Sequence, residues 1–539
     1  MLAFMHKKQS SAPFRGTLGG ILNAGMGVGK TFTAIAHVLN HYKPGDAPFL
    51  VVTELSIMSE WATQVDMFVR PEIARKILFF HPSFKERMEQ PASFAGYIMV
   101  VTNYQAITLS FKPLEAALTS ACYEVEKTMS AIGKATYWNV AKEPANATIG
   151  IRPNQGIFHR VAWGGAFFDE SQKANNISSV IYKALMTLCV KGPRWALTGT
   201  PFRNYSLDYY AQCMLVGFDY YKERKHWRKE EDVRDIFEDE DLEENLIFTL
   251  SAEDVKDVQR GQLTRVREAV ELSEAERASY NAEEKILYSL VVESRHGHFE
   301  FATVLTKLGD LRRRVIAPIL QHADDARALD ERVLGSDGIG SSKMRALVAC
   351  VQDLAVTGMH HKLLVFSSYQ ACLLLAELAL ERALPEVTVM RIDGTVKAKE
   401  RMELQTAFNA FSDGPCVLLL SAKIGSTGLN IQGASGGILL DEHWTTADEE
   451  QQIARFWRAG QLADEVIWCK LVVANTIEEW VEKLAHGKKQ KDNHIRGRTQ
   501  QSSLRVADSL YNYLAAKYGK RSIPITIPLL SWTPHEKTQ

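Results

Sequence analysis

A chain of 539 residues, 46% hydrophobic and 24% charged, has the composition of a folded globular protein but is too long for one ordinary hydrophobic core. Sixty-three Lys and Arg against 64 Asp and Glu leave a formal charge of -1, which excludes a global basic field, so any nucleic-acid binding must come from local patches. Seven scattered cysteines without a C-x-x-C pair argue against a disulfide framework and a zinc site. No apolar run reaches the ~20 residues that cross a bilayer, and a reducing, cytoplasmic compartment, or a nuclear one if eukaryotic, is expected.

Residues 1–17 are short and mixed, and an apolar run from Leu18 to Leu22, broken by Gly19 and Gly20, then leads to Gly25-Met26-Gly27-Val28-Gly29-Lys30-Thr31. Phe32, Ile35, Ala36 and Leu39 follow at helical spacing, so a glycine-rich loop opens a helix. Such a loop cradles phosphate: backbone N–H groups point at it, Lys30 supplies a charge and Thr31 a hydroxyl for Mg²⁺. Ala24 stands where the formal phosphate-loop pattern has its first Gly.

Short buried-strand patterns come next at Phe49–Val52, Lys76–Phe80 and Tyr97–Thr102, with a helix over Ser56–Phe68 carrying Ile57, Trp61, Val65 and Phe68 on one stripe. Strands alternating with helices imply a parallel sheet with ligands at its C-terminal edge. Residues 111–160 read as an insertion with a helix over 113–133. The strand Gly165–Phe168 then runs directly into Asp169-Glu170-Ser171-Gln172. Two carboxylates at a strand end can cap the next helix, but after a phosphate loop they suit Mg²⁺ binding by Asp169 and alignment of the attacking water by Glu170. A further strand, Arg194–Leu197, ends in Thr198-Gly199-Thr200-Pro201, a turn with hydroxyls on both sides of its glycine.

Residues 220–245 are dense in charge and read as a solvated face, residues 251–320 read as helical, and the glycine-rich stretch 325–340 reads as a linker. The Arg312-Arg313-Arg314 triplet on that helical stretch is expected to face solvent. The α/β rhythm then restarts: strands at 361–367, 387–392, 416–420 and 437–440, helices at 371–383 and 400–408, and a small-residue loop from Ser421 to Asn430 containing Lys423 and Gly428. In Gln451–Gln461 the spacing of Arg455 and Arg458 places both on one helical face, from which two guanidiniums can reach a single γ-phosphate. Residues 484–523 hold nine basic residues against two acidic ones, a charge suited to phosphate-backbone contact.

In this order the segments resemble the motifs of superfamily 2 helicases, and specifically the Swi/Snf-type ATPases. Gly25–Thr31, Asp169-Glu170 and Leu197-Thr198-Gly199-Thr200-Pro201 are similar to motifs I, II and III. Val52–Ser56 with Trp61 resembles motif Ia, and Val101–Tyr104 motif Ib. Val365–Ser367, Ser421–Asn430 and Gln451–Gln461 resemble motifs IV, V and VI. The departures are Ala24-Gly25 for the family's Asp-Glu, Gln172 for the His of D-E-x-H, Arg203 for a Gln, and no counterpart of the adenine-contacting Gln motif before the loop.

The resemblance implies an α/β protein of two RecA-like parallel-sheet lobes with helical insertions and a basic C-terminal tail. The expected division is a first lobe over 1–220, a helical, charged insertion and linker over 221–340, a second lobe over 341–484 and a basic extension over 485–539. It implies ATP and Mg²⁺ as cofactors, ATP hydrolysis as the activity and duplex DNA, gripped by its phosphate backbone, as the partner. Gly25–Thr31 and Gly428 would bind nucleotide, Thr31 and Asp169 the metal, and Glu170, Arg455 and Arg458 would carry the chemistry. Gln172, Thr198, Gly199 and Thr200 would couple hydrolysis to movement, and Thr102, Asn103, Ser367, Ser421 and Lys423 would touch nucleic acid. Two other functions fit the same residues: a strand-separating DNA or RNA helicase, and a nucleic-acid clamp with a degenerate ATP site, suggested by Ala24 and Gln172.

Overall fold

The structure, a computed structural model, describes residues 1–25, 27–82, 94–126, 156–201, 207–218, 227, 230–239, 241–250, 261–295, 301–322, 339–422, 429–458, 460–495 and 506–519. Two all-parallel sheets frame it. The first contains β1 (Gly20–Ala24), β2 (Phe49–Thr53), β3 (Ile77–Phe79), β4 (Met99–Asn103), β5 (Gly165–Asp169), β6 (Arg194–Thr198) and β7 (Ile247–Leu250), in the order β3-β4-β2-β5-β6-β1-β7. The second contains β8 (Gln262–Val270), β9 (Lys362–Ser367), β10 (Thr388–Ile392), β11 (Cys416–Ser421), β12 (Gly436–Leu439) and β13 (Glu465–Val473), in the order β10-β11-β9-β12-β13-β8.

The central strands are continuous apolar runs because helices cover both faces of a parallel sheet, leaving no wet side to favour alternation. Every residue of β1, β2, β4 and β5 is buried. Three hydrophobic clusters fill the first lobe and two the second, and none of them draws residues from both. Adjacent β5, β6 and β1 bring Asp169, Thr198 and the phosphate loop to one edge.

The sheets divide the chain differently from the expected 1–220, 221–340 and 341–484. Strand β7 pairs with β1 and so extends the first sheet to Leu250, while β8 pairs with β13 and opens the second at Gln262. Residues 270–320 share one cluster with the second sheet. The stretch 251–320, read as helical, thus holds a strand that charge concealed. As an edge strand with a wet face, β8 carries Arg265, Arg267 and Glu268 among its apolar positions.

The charged region before it is also packed. Trp227, Val233, Ile236, Phe237, Leu242 and Leu246 are buried in one cluster with Ile21 and Tyr209, and the helix Glu230–Asp239 lies against Ile477–Ile495 of the second lobe. The helix expected over 113–133 begins at Tyr104, where the Asn103 side chain accepts the Ala106 N–H at 2.7 Å, and runs through Pro113 to Glu126. Residues 127–133, positions 325–338 of the expected linker 325–340 and the loop 423–428, which includes Lys423 and Gly428, lie outside the described residues.

Arg312, read as solvent-facing, is buried: its guanidinium lies 4.7 Å from the Trp444 ring centre and donates to the Glu442 carbonyl. Part of the expected basic extension is folded too. The helix Val506–Tyr518 docks on Glu274–Arg295 around Glu284, which is fully buried. That carboxylate accepts from Tyr280 at 2.7 Å, Tyr513 at 3.1 Å, and Lys517 and Tyr518 at 2.6 Å each. Lys517, counted among the tail's phosphate-binding charges, is therefore committed internally.

Candidate nucleotide site between the lobes

The phosphate loop begins where β1 ends, and β7 pins it: the Gly25 N–H donates to the Leu250 carbonyl at 2.9 Å. Gly27 and Gly29 hold φ of +72° and +87°, left-handed conformations that a side chain would strain. The chain can then turn into the helix Lys30–His41 with its first N–H groups facing the loop. Lys30 is buried, and its ammonium donates to the Ala24 and Gly25 carbonyls at 2.8 and 3.0 Å. Two carbonyls satisfy it only partly, so an anion in the loop would compete for the same group. Thr31 is half-buried beside it, and Met26 lies outside the described residues.

Asp169, the last residue of β5, is 4% exposed and held from three sides. Its Oδ2 accepts from Thr53 Oγ1 at 3.1 Å and Trp61 Nε1 at 2.9 Å, its Oδ1 accepts the Glu170 N–H at 3.1 Å, and the Tyr104 hydroxyl donates to its carbonyl at 2.6 Å. Burial and the neighbouring Glu170 carboxylate push its pKa up to about 6, against the pull of Trp61, Lys30 and Thr53. Asp169 and Glu170 crowd two carboxylates together, hard oxygen donors whose mutual repulsion a divalent cation such as Mg²⁺ would relieve. Glu170 itself is left-handed, with φ of +52°, a strained conformation for a side-chain-bearing residue at a site that needs its carboxylate aimed.

Gln172 links that carboxylate to the next strand. Its Nε2 donates to Glu170 at 2.5 Å and its Oε1 accepts from Thr198 Oγ1 at 2.7 Å, while the Thr200 N–H donates back to the Thr198 hydroxyl at 2.9 Å. Gly199 lies against the phosphate loop, where a Cβ would come within 3.4 Å of the Ala24 carbonyl. The four residues expected to couple hydrolysis to movement therefore form a continuous path from Glu170 to the turn after β6.

The second lobe reaches this cluster through Arg455 and Arg458. The expected helix under both stops short: it spans Thr446–Ile453, and the two arginines lie on the turn that follows. Arg458 passes beside the phosphate loop, its Cβ 3.3 Å from where a Cβ on Gly27 would stand, and pairs with Glu60 at 3.1 Å. Arg455 is buried, which lowers its pKa, while Glu60, Glu170 and Glu54 favour its charge.

The residues expected to contact nucleic acid fit that role less well. Thr102 and Ser367 are fully buried and Asn103 nearly so. Thr102 donates to the Phe80 carbonyl at 3.1 Å, Asn103 caps its helix, and Ser367 donates to Asp441 at 2.6 Å. At strand ends under a crowded edge these groups are drawn inward to satisfy backbone and carboxylate partners. Ser421 is half-buried at the end of β11. Four residues of the site went unassigned from sequence: Thr53, Tyr104 and Trp61, which hold Asp169, and Glu60, which holds Arg458. Trp61 was visible as part of a helical stripe and a motif, whereas Glu60 lies off that stripe and nothing in the sequence singles it out.

The SNF2-related domain family matches residues 2–320, and the helicase conserved C-terminal domain matches 342–460. The chain is similar to a putative helicase, 172L, of Invertebrate iridescent virus 6, at 26% identity over 524 residues covering 88% of this chain and 84% of that protein. It is also similar to the ATP-dependent helicase brm of Drosophila melanogaster, at 22% identity over 89% of this chain but only 28% of that protein's length. A solved SWI2/SNF2 ATPase core from Sulfolobus solfataricus, in complex with dsDNA, aligns over 92% of this chain and 91% of its own at 20% identity and a TM-score of 0.37. Two parallel-sheet lobes, with the phosphate loop on one and the paired arginines on the other, belong to an ATP-hydrolysing, helicase-like enzyme of the SNF2-related family.

Proposed function

We propose that the chain is an ATP-driven translocase on double-stranded DNA. The observation that carries this reading is the approach of Arg458 to Gly27, which joins the catalytic halves across the cleft. Lys30 leaves the Ala24 and Gly25 carbonyls for the nucleotide's phosphates, and Thr31 and Asp169 would hold Mg²⁺. The cation would neutralise the phosphates' charge. Glu170 orients the attacking water, and Arg455 and Arg458 stabilise charge on the transferred phosphoryl group. Gln172 and Thr198 transmit the state of Glu170 to the turn after β6. The two lobes, with separate cores, move against one another as the site fills and empties. Support for duplex DNA as the track is the family match and the order of motifs, and phosphate contacts would make movement largely independent of sequence.

The test is steady-state ATP turnover with and without duplex DNA, for the wild type and Lys30→Ala. Lys30→Ala is expected to lose about 100-fold or more, and duplex DNA to stimulate only the wild type. Displacement of a triplex-forming strand without opening of a forked duplex is the signature of translocation. Turnover indifferent to DNA would reject the motor, and opening of the fork would favour a strand-separating helicase.

A further inference from the structure

Arg458 has a partner that the reaction does not explain. Its guanidinium pairs with Glu60 at 3.1 Å, their side chains only 16% and 23% exposed. Glu60 belongs to the helix Leu55–Phe68 of the first lobe, and the next residue, Trp61, donates to Asp169 at 2.9 Å. One helix therefore touches the metal carboxylate with one residue and the second lobe's arginine with its neighbour. Arg458 already lies against the phosphate loop at Gly27, so it needs no long approach to reach a terminal phosphate.

We propose that Glu60 is a positioning residue that holds Arg458 in place of the γ-phosphate, so that only a nucleotide carrying that phosphate can draw the arginine away. This rests on the reading of the site as an ATPase. A guanidinium this enclosed cannot be left without an anion except at high cost, and Glu60 supplies one while the site is empty. A γ-phosphate offers greater charge and more acceptor oxygens to the same fork of donors, so it displaces the carboxylate. ADP lacks the group that competes and leaves Arg458 on Glu60. The exchange makes engagement of Arg458 depend on the triphosphate, and after phosphate departs Glu60 recaptures the arginine.

The experiment measures equilibrium binding of Mg·ADP and of the non-hydrolysable imidodiphosphate analogue of ATP to the full chain. The variants are Glu60→Gln, Arg458→Ala and the double variant, each checked for folding by its thermal transition. Glu60→Gln keeps the shape and removes the competing charge. It is expected to tighten the ATP analogue about tenfold and leave ADP unchanged, and to lose most of that effect once Arg458 is Ala, the remainder acting through Arg455, whose charge Glu60 also favours. Equal shifts for both nucleotides, weaker analogue binding, or an effect undiminished by Arg458→Ala would overturn the assignment. Failure of the wild type to bind either nucleotide would instead sink the ATPase reading and this inference with it. Binding whose dependence on the γ-phosphate is unaltered by Glu60→Gln sinks the inference alone.

Discussion

Gln172 shows how much one side chain can connect. A glutamine amide has a donor end and an acceptor end, and here each is used once: the amide on Glu170, the carbonyl on Thr198. Both ends are buried, so breaking the bridge strands two polar groups as well as removing a link. Gln172→Ala is therefore expected to lower DNA-stimulated turnover by about tenfold while lowering DNA-independent turnover by much less. The ratio of the two rates checks it, and equal losses would assign Gln172 to hydrolysis alone. Such a bridge could not be seen in the sequence, where Gln172 stands simply as a departure from a family histidine. The chain supplied the residue, but only β5 beside β6 puts Thr198 within its reach.

Among elements, the helix Lys30–His41 carries the phosphate loop's lysine at one end and a buried histidine cluster along its length. His37 is fully buried against the Phe49, Phe167 and Trp195 rings, lies near the His41 and His6 rings, and has no hydrogen-bond partner for either ring nitrogen among the described residues. Burial, with the nearby His41 and His6, pushes its pKa down from 6.5 to about 3. Between those values the unfolded chain binds a proton that the folded chain refuses. The resulting stability is complete above pH 6.5 and lost as pH falls toward 3, by ~1.4 kcal/mol per pH unit. Urea unfolding at about pH 7.5 and pH 5.5 should show the wild type losing roughly that much more stability than His37→Leu. Equal losses would mean that other groups set the acid response. Elements were legible in proportion to their burial. The strands from β2 to β6 announced themselves as short apolar runs, whereas β8 hid because an edge strand keeps a charged face. The turn holding Arg455 and Arg458 read as helix because periodicity does not register where a helix stops.

At the scale of the molecule, the five hydrophobic clusters separate cleanly into three on one side and two on the other. Between the lobes Arg458 pairs with Glu60, and the helix Glu230–Asp239 lies against Ile477–Ile495. Calorimetry of the nucleotide-free chain is expected to resolve two transitions, one per lobe, drawn together by the ATP analogue because a ligand held by both halves couples their unfolding. One transition, indifferent to nucleotide, would contradict that separation. The cluster around Glu284 alters what counts as the end of the catalytic machinery. Tyr513, Lys517 and Tyr518 all come from the last described helix, and without them a fully buried carboxylate would keep Tyr280 alone of its four side-chain donors. A truncation that stops after the helix Ile477–Ile495, trimmed to a minimal motor by its motifs, would cut away Lys517, the counter-charge of the buried Glu284. The motif-bearing segment and the segment that completes the packing around Glu284 are different lengths of chain.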